Sequence, residues 1–156
     1  MLWSNQLRRR VQHYGYRYDY KQQKQNSDLD IGPLPSWLHT LATTLCKKHY
    51  FNSTPNQVII NEYTPGQGIA AHTDCANSFG NTIASLSLIS PYTMDFTHDI
   101  TKDKVTLRLE DRSLLILSGQ ARYTWKHGIA ARKNDRYQGI LIPRGRRVSI
   151  TFRNVI

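Results

Sequence analysis

A histidine and an aspartate stand two residues apart in the stretch Gln57 to Cys75, QVIINEYTPGQGIAAHTDC, after an apolar, β-branched run. On an extended strand positions i and i+2 point the same way, roughly 6 to 7 Å apart, so His72 and Asp74 have the spacing of two metal ligands. The pair alone carries little, since six histidines and 11 acidic residues in 156 give about 0.4 such pairs by accident. Its company adds the weight: Asn61 and Tyr63 on the preceding run, His127 after another apolar run, and Arg147 and Arg153 bracketing VSITF. Two imidazoles and one carboxylate on one face of an iron leave the opposite coordination positions open, the arrangement that non-haem Fe(II) oxygenases need. Zinc more usually takes a closed tetrahedral set, often with Cys or a third His. A cation-rich end strand argues for an anionic co-substrate. The other His–Asp neighbours, His98 and Asp99, are adjacent, face opposite sides of a strand and make a weak metal candidate.

These residues must be held by a sheet. After QVIINEY and a turn at TPGQG come NTIASLSLIS, PYTMDFTH, KVTLRLE, SLLILSG, RYTWKHGI, YQGILIP and RRVSITFRNV. Strands this numerous and short, separated by turns, indicate an all-β sandwich or barrel, and we expect a mainly β chain folded as a double-stranded β-helix, or jelly-roll, with the metal near one mouth. From Pro35, PSWLHTLATTLCKKH places Trp37, Leu38, Leu41, Leu45 and Cys46 on one face of a helix that supports the sheet. Upstream, VQHYGYRYDY sets Tyr14, Tyr16, Tyr18 and Tyr20 at a period of two, an aromatic strand face destined for the core or for base stacking. The arginine run 8–10 is expected to be solvated, His39 and His49 to lie on the surface, His13 to be packed or exposed, and Cys75 to be a packing residue on the face opposite Asp74.

Length and a 39% hydrophobic content suit one domain spanning 1–156. The formal charge of +10 and pI near 9.9 favour nucleic acid as the partner, with a merely basic soluble protein as the bland reading. Two cysteines without a disulfide pattern, no apolar run of membrane-spanning length and no signal-like start give the expectation of an intracellular, cytoplasmic protein, or a nuclear one in a eukaryote. There is no GxGxxG or P-loop, which disfavours a nucleotide-cofactor enzyme.

NEYTPGQGIAAHTD, SLSLIS, YTWKHGI and RVSITFR, in this order, resemble the Fe(II)- and 2-oxoglutarate-dependent AlkB-like dioxygenases, from about Val11 to Arg153. The resemblance implies that His72, Asp74 and His127 hold the iron, and that Asn61, Tyr63, Arg147 and Arg153 hold 2-oxoglutarate, with Arg147 on the distal carboxylate and Arg153 on the one near the metal. It also implies a nucleotide-recognition lid at 21–33, and oxidative decarboxylation of 2-oxoglutarate by O2 to succinate and CO2, coupled to oxidation of a base. Repair members carry an acidic residue two positions after the ligand aspartate and an asparagine between the terminal arginines, where this chain has Ala76 and Ser149. RVQHYGY, NEYTPGQGI, MDF and RYTWKHGI are most similar to the branch that hydroxylates the modified wobble uridine of tRNA. Proteins of that branch also carry RNA-recognition and methyltransferase domains with no counterpart in these 156 residues, so a separate tRNA methyltransferase is the expected partner. Demethylation of alkylated bases, a non-catalytic basic RNA-binding module and a protein side-chain hydroxylase are the rival readings.

Overall fold

The computed structural model describes residues 3–5, 7–17 and 30–156. Among these, strands β1 (Arg10–Tyr16) and β2 (Asp30–Gly32) precede helix α1 (Ser36–Lys47). Strands β3 (Gln57–Tyr63), β4 (Ile69–His72), β5 (Phe79–Leu88), β6 (Tyr92–His98), β7 (Lys104–Leu109) and β8 (Leu114–Leu117) follow. A short helix α2 (Gly119–Tyr123) then leads to β9 (Trp125–Ile129), β10 (Asn134–Tyr137), β11 (Ile140–Pro143) and β12 (Arg147–Val155). One sheet has the order β2-β1-β3-β12-β5-β8 and a second the order β4-β9-β6-β7, while β10 and β11 pair as a separate hairpin. The mainly β architecture expected from the sequence is thus present.

The central strand β3 is buried at every position, which follows from its place between two layers. Val58 and Ile60 face α1 and pack with Leu38, Ala42 and Leu45, together with Ile150 and Phe152 of β12. The alternate residues Ile59, Asn61 and Tyr63 face the space between the two sheets, so a strand covered on both faces reads as a continuous apolar run broken only where polar chemistry is wanted. The second core, with Phe79, Ile83, Tyr92, Met94, Phe96 and Leu117, fills the rest of that space.

The supporting helix starts at Pro35, with φ −59 and ψ 152, as the spacing predicts. Its buried stripe is Leu38, Ala42 and Leu45, whereas Trp37 is 48% exposed and meets Tyr14 edge-on at 6.3 Å. Strand β1 buries Val11, His13 and Gly15 and leaves Tyr14 and Tyr16 half-buried, so the packed face is the one between the tyrosines. Gly15 has φ +75, and a side chain there would strike the Asn56 carbonyl at 1.9 Å, which explains a glycine amid aromatic residues. Tyr18, Tyr20 and residues 21–29 of the expected lid lie outside the described residues, while Asp30–Gly32 pairs with β1.

Two expectations need correction. The arginine run is not simply solvated: Arg9 is only 9% exposed, and Arg10 pairs with Glu62 and stacks over Trp3. RYTWKHGI is not one strand, because Arg122 and Tyr123 close α2 before β9 begins at Trp125. In the basic segment 144–147, Arg144 and Arg147 are buried. Arg144 is buried and donates to the carbonyls of Ala130 (2.7 Å) and Arg132 (3.0 Å) and to Asp135 (2.7 Å), tying the β10–β11 hairpin to the barrel.

Candidate active site

Antiparallel pairing of β4 with β9 sets His72 directly opposite His127, and their rings lie 4.5 Å apart between centroids. Gly128 allows this approach, since a Cβ there would sit 2.9 Å from Ala71 backbone atoms. Asp74 arrives by a different route from the one its spacing suggested. Strand β4 ends at His72, so Thr73 and Asp74 already lie in the connection to β5, and Cys75 is off the strand too, packed against the second core. Arg153 holds the Asp74 carboxylate, donating from Nη1 to Oδ1 at 2.5 Å, which leaves Oδ2 facing His127 Nε2 at 3.8 Å. One ligand atom from each of His72, Asp74 and His127 lies within 4.8 Å of the others.

His72 Nδ1 is 2.8 Å from the Ala70 carbonyl. A carbonyl only accepts, so Nδ1 carries a proton and Nε2 is the ring nitrogen left to face a metal. Burial, and then the charge of His72, push His127 down to about 4, so it is a neutral donor near pH 7. For Asp74 burial acts upward, but the guanidinium of Arg153 and the two imidazoles outweigh it and hold the carboxyl below its usual range.

All seven residues singled out in the sequence line one cavity of ≈ 460 Å³, in the range of small-molecule sites. Its floor comes from registered neighbours, Arg147 opposite Tyr63, Ser149 opposite Asn61 and Arg153 opposite Gln57. The two arginines share a strand face and converge from its ends. Arg147 is 1% exposed, donates from Nη2 to Ser87 Oγ at 2.8 Å, lies against the Tyr63 and Tyr92 rings, and forms no ion pair among the described residues. Its Nε is buried with no hydrogen-bond partner. Arg153 divides its donors between Asp74 and Gln57 Oε1 (2.7 Å). His98 and Asp99 stand apart from this cavity, His98 against Trp125 and Asp99 paired with Lys126.

Residues 2–153 match the model of the 2OG-Fe(II) oxygenase superfamily. The chain belongs to that superfamily. It is AlkB-like within it: 40% identical over 94% of its length to tRNA (carboxymethyluridine(34)-5-O)-methyltransferase ALKBH8 of Mus musculus, of which it covers 24%. Uncharacterized protein L905 of Acanthamoeba polyphaga mimivirus is 38% identical over 99% of this chain and 73% of that one. The structure of OsALKBH1 superposes with a TM-score of 0.66 at 18% identity, covering 95% of this chain and 78% of that one, which establishes the shared fold. The chain spans about a quarter of the length of its ALKBH8 relatives, so the activity in their name describes those whole proteins.

As a 2OG-Fe(II) oxygenase the protein is a dioxygenase that uses Fe(II), 2-oxoglutarate and O2, and its cavity fits these groups. Two imidazoles and a carboxylate form an open donor set suited to ferrous iron. A buried guanidinium with an unpartnered Nε and no counter-ion among the described residues is suited to a carboxylate arriving from outside.

Two further cavity or site residues escaped the motif reading. Arg9 lines the cavity and donates from Nε to Asn61 Oδ1 at 2.9 Å, which fixes the amide so that its NH2 is the end left for a ligand. A signal was available: Arg9 stands two residues before Val11, and it is buried as Val11 and His13 are. Arg122 is 2% exposed beneath the Asp74 segment, and no sequence pattern marked it.

Proposed function

We propose that the protein hydroxylates a modified wobble uridine of tRNA, within a single oxygenase domain spanning 1–156. His72, Asp74 and His127 would hold the iron; Arg147 with Tyr63 would hold the distal carboxylate of 2-oxoglutarate, and Arg153 with Asn61 the end beside the metal. The observation that carries this reading is the meeting, in one cavity, of the His–Asp–His cluster and a buried Arg147 that has no ion pair among the described residues. The iron, once bound, supplies the coupling of 2-oxoglutarate decarboxylation to oxidation of a C–H bond.

The chain's own residues orient and desolvate. Arg153 pins one Asp74 oxygen so that the other is left for the metal, and Arg9 sets the Asn61 amide. The apolar walls from Ile59, Ile83, Leu115 and Leu117 keep water from the reacting atoms. For the substrate, support comes from the tRNA-directed name of the ALKBH8 relatives and the formal charge of +10, which suits a phosphate backbone. Ala76, exposed on the turn after Asp74, and Ser149, on the cavity floor, bring no acid or amide of the repair type near a base. A base held in a folded RNA must first be extruded to enter such a cavity.

The test is to incubate the iron-loaded protein with 2-oxoglutarate, O2 and tRNA carrying the modified uridine. Succinate release with a one-oxygen mass gain at the wobble position, both abolished in Asp74→Ala, is the expected result. Formaldehyde release from methylated oligonucleotides without oxidation of tRNA would move the assignment to demethylation. Failure to form succinate with either substrate would remove the reading.

A further inference from the structure

Arg122 is among the most deeply buried side chains of the protein, yet among the described residues it forms no ion pair. Its guanidinium is spent on backbone. Nη1 donates to the Asp74 carbonyl at 2.7 Å, Nη2 to the carbonyls of Cys75 and Phe79 at 3.3 Å each, and Nε to Gly80 at 3.2 Å. The four carbonyls belong to both arms of the turn that joins Asp74 to β5, so one rigid planar fork spans the turn from end to end. Arg122 also closes α2, five residues before His127 on the following strand. The side chain therefore bridges the segment that carries Asp74 and the segment that carries His127, which no strand pairing joins directly: His72 is registered with His127, and Asp74 lies off the strand.

We propose that Arg122 is a positioning residue for the metal centre, holding the Asp74 turn against the α2–β9 connection so that the carboxylate meets both imidazoles before any metal arrives. The inference rests on the reading of His72, Asp74 and His127 as the metal set. Arg153 fixes the Asp74 carboxylate by its tip and Arg122 fixes its backbone, two constraints with different consequences. Lysine in place of Arg122 keeps the charge but offers a single tetrahedral head with no planar fork, and cannot span the four carbonyls.

The test compares Arg122→Lys with the wild type and with Leu38→Ala, a cavity-forming change in the helix-side core, remote from the cavity. Binding of Mn(II), a redox-stable stand-in for the ferrous ion, is measured by calorimetry, and melting temperature is recorded without metal. We expect Arg122→Lys to raise the Mn(II) dissociation constant about 10- to 100-fold, the scale for lost outer-shell support of a ligand. Leu38→Ala should lower the melting temperature with less than about a twofold change in that constant, because the site's supports are intact. Equal shifts in the two variants, or an unchanged constant in Arg122→Lys, would overturn the proposal. Wild type that binds no Mn(II) would instead remove the metal assignment on which it rests.

Hydrogen exchange on the metal-free wild type tests the same idea without a variant. The amides of Ser78 and Phe79, bonded to the Cys75 carbonyl at 3.3 and 3.1 Å, should be protected before metal is added. A turn that exchanges freely until metal binds would show that Arg122 does not set it in advance.

Discussion

Replacing Arg147 by methionine should separate stability from co-substrate binding. The guanidinium is 1% exposed, its Nε has no partner, and no carboxylate compensates it among the described residues. Burial accordingly pushes its pKa below the ordinary arginine value. In the protein without 2-oxoglutarate this charge costs stability, and a methionine of similar reach removes the cost while still filling the space between Tyr63 and Tyr92. The ligand-free variant should melt no lower than wild type. With 2-oxoglutarate the sign reverses, because hydrogen bonds from a charged donor contribute about 1.5–3 kcal/mol each, and the fork can make two to one carboxylate. Allowing for recovered burial cost, the loss is about 2–4 kcal/mol, which corresponds to roughly a 30- to 1000-fold weaker 2-oxoglutarate complex. Calorimetric titration with 2-oxoglutarate in the presence of Mn(II), beside thermal melting with and without it, reads both quantities. Arg147→Lys, which keeps the charge without the fork, should fall between wild type and methionine in affinity. The reasoning is wrong if Arg147→Met binds 2-oxoglutarate as wild type does, or if its ligand-free form melts as early as a core cavity variant.

Three more outcomes follow from the packing and the charges. Gly128→Ala would push β4 from β9 at a 2.9 Å contact, separating His72 from His127, and should weaken Mn(II) binding at least tenfold with the remaining fold retained by circular dichroism. His13 and His127 are both lowered from 6.5 to about 4, chiefly by burial; between those values the unfolded chain takes up protons that the native one refuses. Stability of the metal-free protein should therefore be lost as pH falls from about 6.5 to 4, and His13→Gln should flatten the denaturation midpoint across that window; a parallel profile in the variant would contradict this. Asp135→Asn leaves Arg144 buried without its carboxylate and weakens the bonds to Thr93 and Arg132. A loss of about 3–5 kcal/mol in urea unfolding is expected.

How much of this was legible depends on whether a position was set by strand alternation or by something outside it. Asn61 with Tyr63, and Arg147 with Arg153, follow a period of two along β3 and β12, and a local rule therefore assigns their common face. His72 and His127 needed only two strands whose chemistry agreed. Asp74 joins the cluster for a reason its spacing does not give: it lies past the end of β4, and Arg153 and Arg122 hold it, the latter from a helix turn that β-forming neighbours such as Tyr123 and Trp125 disguised as strand. Arg9 could have been found by extending the Val11–His13 face backwards, whereas Arg10, one residue on, turns outward to Glu62. The fate of Arg144 and Asp135 was not readable, because no strand period marks a pair nine residues apart across the end of a hairpin, nor the bond that joins Asp135 to Thr93 of β6.

The charge pattern of the cavity also couples the binding of its two ligands. Arg9, Arg147 and Arg153 line it against one carboxylate, Asp74, and His127 stays neutral. A divalent cation entering alone adds positive charge to a cavity already in surplus, and only the Asp74 carboxylate opposes it. A dicarboxylate entering first compensates Arg147 and lowers that surplus, so each ligand should improve the site for the other. Linkage makes the effect reciprocal: whatever factor 2-oxoglutarate gives Mn(II), Mn(II) must give 2-oxoglutarate. A coupling in the usual range of about 5- to 150-fold is expected in wild type. In Arg9→Gln, which removes one cation, Mn(II) alone should bind more tightly and the coupling should shrink. Closing the thermodynamic cycle with four titrations decides the matter, and Mn(II) affinity indifferent to 2-oxoglutarate, or to Arg9, would mean that the surplus charge is screened by solvent and plays no part in assembly of the site.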